Sequence, residues 1–168
     1  MKKLKMFCLR LNNQNLENQK KNWLATLGYV PQNTTLFNDT IANNITFFET
    51  ENAEKKLDDS LIKSNLKDFI NSLPDKENTI VGENSSKLSG GQIQRIGIAR
   101  ALFNNPDFII FDESTNSLDE ISEKNIMKFI YSLRKEKTVL VISHKIEILN
   151  SCDKISGTLH GIFIFIVL

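Results

Sequence analysis

Two adjacent carboxylates, Asp112 and Glu113, directly follow the wholly apolar stretch Phe108–Phe111. A short apolar run of this kind reads as a parallel strand covered on both faces, and parallel sheets present ligands at the carboxyl ends of their strands. One carboxylate there can hold a hard cation, because Mg²⁺ takes one or two carboxylates plus phosphate oxygens. The other can orient or deprotonate an attacking water. An acidic pair by itself is more often a solvated turn. His144 follows a second apolar run, Thr138–Ile142. A lone His is usually structural, but beside an acidic pair it can hydrogen-bond a phosphate oxygen or the attacking water. A third segment, Leu88-Ser89-Gly90-Gly91-Gln92, combines two glycines with a helix start. Glycines let backbone N–H groups approach an anion, and the positive end of a helix dipole favours that anion.

Several elements must position these groups. Ser89 and Gln92 fit a capping box, and Ile93, Ile96, Ala99 and Leu102 recur behind them at helical spacing until Asn104-Asn105-Pro106 ends the run. Ser117-Leu118-Asp119-Glu120 is a second capping box, opening a helix to about Arg134. The order strand, helix, strand from Phe108 to Ile142 is a βαβ unit. Upstream, Met6–Leu11 reads as a short strand, Leu16–Thr26 as a weak helix and Leu27–Val30 as a strand stopped by Pro31. Thr40–Phe48, Ala53–Ser64 and Leu66–Leu73 read as helices, and Asp75–Lys87 as a polar loop.

Composition narrows the classes. The 168 residues fit one domain. Lys and Arg number 21 against 20 acids, for a net charge of +1, with no basic stripe of the kind that marks a nucleic-acid binder. Cys8 and Cys152 make neither a disulfide framework nor a zinc site. The longest unbroken apolar run, Ile162–Leu168, falls far short of the ~20 residues that span a bilayer.

Taken together, the motifs resemble the ATP-binding cassette family. Leu88–Gln92 looks like its LSGGQ signature, continued by Gln94–Leu102, and Ile109–Glu113 looks like the Walker B strand. Ser117-Leu118-Asp119 is similar to the D-loop, Ser143-His144 to the switch histidine, and Gly28-Tyr29-Val30-Pro31-Gln32 to the Q-loop. The motifs stand in the family's order over about residues 5–155. Leu36–Ile45 and Thr79–Glu83 are similar to exporters whose membrane helices are fused to the cassette.

The resemblance implies an α/β fold: a partial P-loop NTPase core with a parallel sheet and an inserted helical subdomain. It implies a core remnant with the Q-loop over 1–32, the helical subdomain with the signature over 33–104, and a core with Walker B, D-loop and switch histidine over 105–168. It implies ATP and Mg²⁺ as ligands, with Asp112 holding Mg²⁺, Glu113 as general base, Gln32 touching Mg²⁺ and the water, and His144 at the γ-phosphate. Ser89, Gly90, Gly91 and Gln92 would bind the ATP of the opposite cassette, and Asp119 would line the interface. The implied partners are a second cassette, packed head to tail, and an exporter membrane domain at the cytoplasmic face of the cell (inner) membrane. Nucleic acid is not among them.

Two departures qualify this expectation. None of the seven glycines is followed by Lys, so the chain has no G-x-x-x-x-G-K-[ST] phosphate loop. Where the family continues with a strand, a turn and a polar tail, Ser156–Gly161 leads into the apolar run to Leu168. A truncated or frame-shifted reading frame would explain both ends, and residues 156–168 are expected to lie outside the core or pack irregularly. The alternative function is a non-enzymatic remnant that docks on an intact cassette. A chromosome-maintenance ATPase would share the signature, but it would carry long coiled coils, and no heptad pattern is visible.

Overall fold

The strands at 27–30, 108–112 and 138–143 lie side by side. The computed structural model describes residues 10–11, 14–15, 26–82, 88–114, 120–133, 136–143, 153–157 and 163–167. β3 (Leu27–Val30), β6 (Phe108–Asp112) and β7 (Thr138–Ser143) are parallel, with Tyr29 opposite Ile110 and Asp112 opposite Ile142. β8 (Lys154–Gly157) and β9 (Phe163–Val167) complete a five-stranded sheet in the order β3-β6-β7-β9-β8. A hairpin of β1 (Arg10–Leu11) and β2 (Gln14–Asn15) precedes it. The expected helix over 16–26 lies outside the described residues apart from Thr26, which is in a turn.

Five α-helices are described: α1 (Ile41–Thr46), α2 (Ala53–Lys63), α3 (Lys67–Ser72), α4 (Gly90–Leu102) and α5 (Glu120–Leu133). None of them is long and apolar enough to cross a membrane. Two hydrophobic clusters form. One joins Val30, Ile109, Phe111, Val139 and Val141 of the sheet to Ile126 and Ile130 of α5. The other gathers Ile41, Ile45, Leu61, Leu66, Ile70 and Val81. Helix α4 serves both, with Ile98 and Leu102 in the first and Ile96 and Ala99 in the second. Its 3.6-residue period turns adjacent apolar residues toward different neighbours.

Three expectations need correction. The segment over 75–87 is not simply a loop: Lys76–Asn78 form a 3₁₀ turn, and β5 (Ile80–Val81) pairs antiparallel with β4 (Asp39–Thr40). Val81 is fully buried, so its apolar side chain supplies the drive that the polar composition of its neighbours conceals. The described residues of the 156–168 segment, 156–157 and 163–167, do not stand apart from the sheet. β9 pairs with β7 from Val139↔Val167 to Ser143↔Phe163, and with β8 on its other side. The strand β6 is not covered on both faces either. Ile109 and Phe111 are wholly buried, whereas Phe108, Ile110 and Asp112 are partly exposed.

Close packing at Gly28 sets the height of β3 over α4. A Cβ there would lie 2.7 Å from the Ala101 carbonyl oxygen and 2.9 Å from Pro106 Cγ. Backbone cannot retreat as a flexible side-chain tip can, so Gly28→Ala is expected to destabilise the fold by about 1–3 kcal/mol, the usual cost of overpacking. An unchanged denaturation midpoint would contradict this packing.

Candidate functional site at the ends of the parallel strands

The sheet face decides which side chains meet. Alternation along a strand sends Tyr29 and Gly28 to opposite faces, and likewise Asp112 and Phe111. With Tyr29 opposite Ile110, the phenol shares a face with Ile110 and with Asp112 two residues further on. The Tyr29 hydroxyl donates to Asp112 Oδ2 at 2.8 Å. Beyond Pro31, Gln32 Nε2 donates to Glu113 Oε2 at 2.8 Å. Both strand-end carboxylates therefore receive a hydrogen bond from β3 or the turn that follows it.

Glu113 has a strained backbone. Its φ is +46°, in the left-handed region that non-glycine residues seldom adopt. Its N–H donates to the Ile142 carbonyl at 2.9 Å, so the last turn of the β6–β7 ladder holds it there. Such outliers persist where surrounding structure over-determines them, and they cluster at functional sites. The hydrogen bond to Asp112 is the main cause that raises the Tyr29 pKa above its usual value, followed by burial and the repulsion of the same carboxylate. The phenol therefore remains a donor throughout the physiological range.

The acids fit a divalent cation only in part. Among the described residues, no group of three or more His, Cys, Asp and Glu comes together to cage a metal. One or two carboxylates with an amide beside them match the protein share of a Mg²⁺ site whose remaining ligands are phosphate oxygens and water.

The glycine-containing segment lies at a helix start, as its sequence suggests. Ser89 caps α4: Gln92 N–H donates to Ser89 Oγ at 3.2 Å, and Ser89 N–H donates to Gln92 Oε1 at 2.8 Å. Ser89 and Gly90 are exposed, and Gly91 and Gln92 are partly exposed. The Gln92 amide oxygen is thus engaged in the cap. Asp119 and His144 lie outside the described residues, as does the expected capping box over 117–120 except for Glu120.

The segment after Gln32 is organised by buried polar groups that the motifs did not single out. Asn44 is fully buried; its side chain accepts from Phe37 N–H at 3.1 Å and donates to the Phe37 and Thr40 carbonyls at 3.0 Å. Arg100 of α4 donates from Nε to the Asn44 carbonyl at 2.7 Å and reaches the Thr35 carbonyl, with its guanidinium 4.9 Å from the Phe47 ring centroid. Burial lowers its pKa. Phe47, 60% exposed, lines a groove of about 390 Å³ together with Tyr29 and Pro31, and the neighbouring Phe48 is equally exposed.

Three parallel strands with an acidic pair at the end of one, and a glycine-started helix beside a separate helical cluster, form a partial P-loop NTPase-like fold. Comparison with known proteins makes this specific: residues 8–116 match the family described as "ABC transporter", and the chain belongs to that family. It is 40% identical over 146 residues to ABC transporter B family member 6 of Dictyostelium discoideum, covering 86% of this chain and 22% of that protein. It is 44% identical over 136 residues to the ATP-dependent lipid A-core flippase of Francisella tularensis subsp. holarctica, covering 80% of this chain and 22% of the flippase. A solved bacterial Atm1-family ABC exporter with ATP bound superimposes with a TM-score of 0.63 at 38% identity, over 74% of this chain and 22% of that one. The chain thus spans about a fifth of the length of these relatives.

Proposed function

We propose that the chain is the greater part of an exporter's ATP-hydrolysing cassette and completes, with a second cassette, an ATP site that drives transport. The observation that carries this reading is the strand-end constellation: Tyr29 on Asp112 and Gln32 on Glu113, each at 2.8 Å. In this reading Asp112, with Gln32, would hold Mg²⁺, which would supply positive charge to offset that developing on the phosphates. Glu113 takes a proton from the attacking water, and Gln32 orients both the carboxylate and the water. His144 touches the γ-phosphate. Ser89, Gly90, Gly91 and Gln92 close over the ATP held by the opposite cassette, with Asp119 along the interface. The flippase and Atm1-family relatives support the exporter assignment, and the exposed Phe47 and Phe48 offer apolar surface for a membrane domain at the cytoplasmic face. The units in this reading are a core with the Q-loop over 1–32, a helical subdomain over 33–104 and a core over 105–168, bridged by α4.

The 168 residues carry no G-x-x-x-x-G-K-[ST], so the chain by itself lacks the loop that cradles the β- and γ-phosphates. Positioning and charge neutralisation do most of the work in phosphoryl transfer, and the isolated chain is expected to show no Mg²⁺-ATPase turnover above background. The alternative reading, a non-enzymatic chain that docks on an intact cassette, shares this expectation. Phosphate release by the purified chain tests this. Turnover comparable to an intact cassette, and abolished by Glu113→Gln, would overturn it.

A further inference from the structure

We propose that Tyr29 is a positioning residue for the Asp112 carboxylate, fixing Oδ2 so that Oδ1 is presented to a divalent cation; this rests on Asp112 as the cation ligand. A carboxylate at a strand end turns readily about its last side-chain bond, whose rotamer well is broad. The Tyr29 hydroxyl holds one oxygen at 2.8 Å and so selects one orientation. The strand that supplies it is itself fixed, with Val30 fully buried and Gly28 packed against the Ala101 carbonyl. The ring needs no deep pocket, being 49% exposed, so its removal from the hydrogen bond costs little packing. Glu113 receives the parallel bond from Gln32, so β3 and its following turn set both acids through donors three residues apart. A hydroxyl that orients a ligating carboxylate belongs to the outer shell of a metal site, where mutation typically weakens metal binding by about 10–100-fold.

Mn²⁺ replaces Mg²⁺ as the probe, because it broadens nearby amide resonances in NMR spectra of the full chain without requiring nucleotide. Broadening of the Asp112 and Glu113 amides, titrated with Mn²⁺, reports the apparent Kd. Tyr29→Phe is expected to raise that Kd about tenfold, while the thermal midpoint stays within about 2 °C, since only an exposed hydroxyl is lost. Asp112→Asn, measured alongside, is expected to abolish the broadening. An unchanged or lower Kd in Tyr29→Phe, with the broadening abolished by Asp112→Asn, overturns the role of Tyr29 and leaves the cation site standing. Broadening that survives Asp112→Asn overturns the cation reading itself, and the role of Tyr29 with it.

Discussion

Deletion of residues 158–168 is expected to lower the thermal midpoint by about 10 °C and to reduce soluble yield. The deletion removes β9, which is paired along its whole length with β7 and which gives β8 its place in the sheet. Without it, the β7 edge from Val139 to Ser143 presents unpaired N–H and C=O groups to solvent, a template for intermolecular pairing. Counting only the five residue pairs with β7, a net loss of about 0.5–1 kcal/mol for each broken ladder hydrogen bond gives roughly 3–5 kcal/mol. At about 2–4 °C for each kcal/mol in a domain of this size, the shift is on the order of 10 °C. The opposite expectation, that deleting an apolar tail improves yield, follows from the composition of Ile162–Leu168 taken without a partner. Differential scanning calorimetry of the full and shortened chains distinguishes the two. A midpoint unchanged or raised by the deletion, with higher yield, would mean that β9 contributes nothing to the sheet.

What the sequence discloses depends on how far apart the interacting residues lie. Ser89 and Gln92 are three residues apart, and their reciprocal cap was legible directly from the capping-box spacing. The strands at 108–112 and 138–143 were legible because unbroken apolar runs with turn residues at both ends leave few alternatives. By contrast, β5 exists because Ile80 and Val81 meet Thr40 and Asp39, a pairing no local pattern encodes. β9 likewise needs the open edge of β7. Within the candidate site, the motifs marked Asp112, Glu113 and Gln32, but not Tyr29. Its bond to Asp112 spans 83 positions and requires both the parallel register and the shared face. The left-handed backbone of Glu113 was hidden for the same reason, since its N–H partner is on β7.

Supplying a signature in trans is the largest functional effect expected of this chain. In the shared site proposed above, one cassette contributes the phosphate loop and acidic strand end, and the other contributes the signature helix start. Helix α4 opens at an exposed Ser89 and Gly90, with the capping box holding the helix start in place, so the positive end of its dipole faces outward there. Pre-organised donors aimed at developing charge are worth about 10²–10³-fold in rate when one is removed. An intact exporter cassette whose own signature serine is replaced by arginine keeps its phosphate loop but cannot close its partner's site. Phosphate release by that cassette, measured with increasing amounts of this chain, tests the shared-site account most directly. The account predicts restored turnover that saturates with added chain, falls about a hundredfold with Ser89→Arg in this chain, and survives Glu113→Gln, because Glu113 faces the site that has no phosphate loop. No restoration by chain shown to be folded, or restoration indifferent to Ser89→Arg, would contradict it.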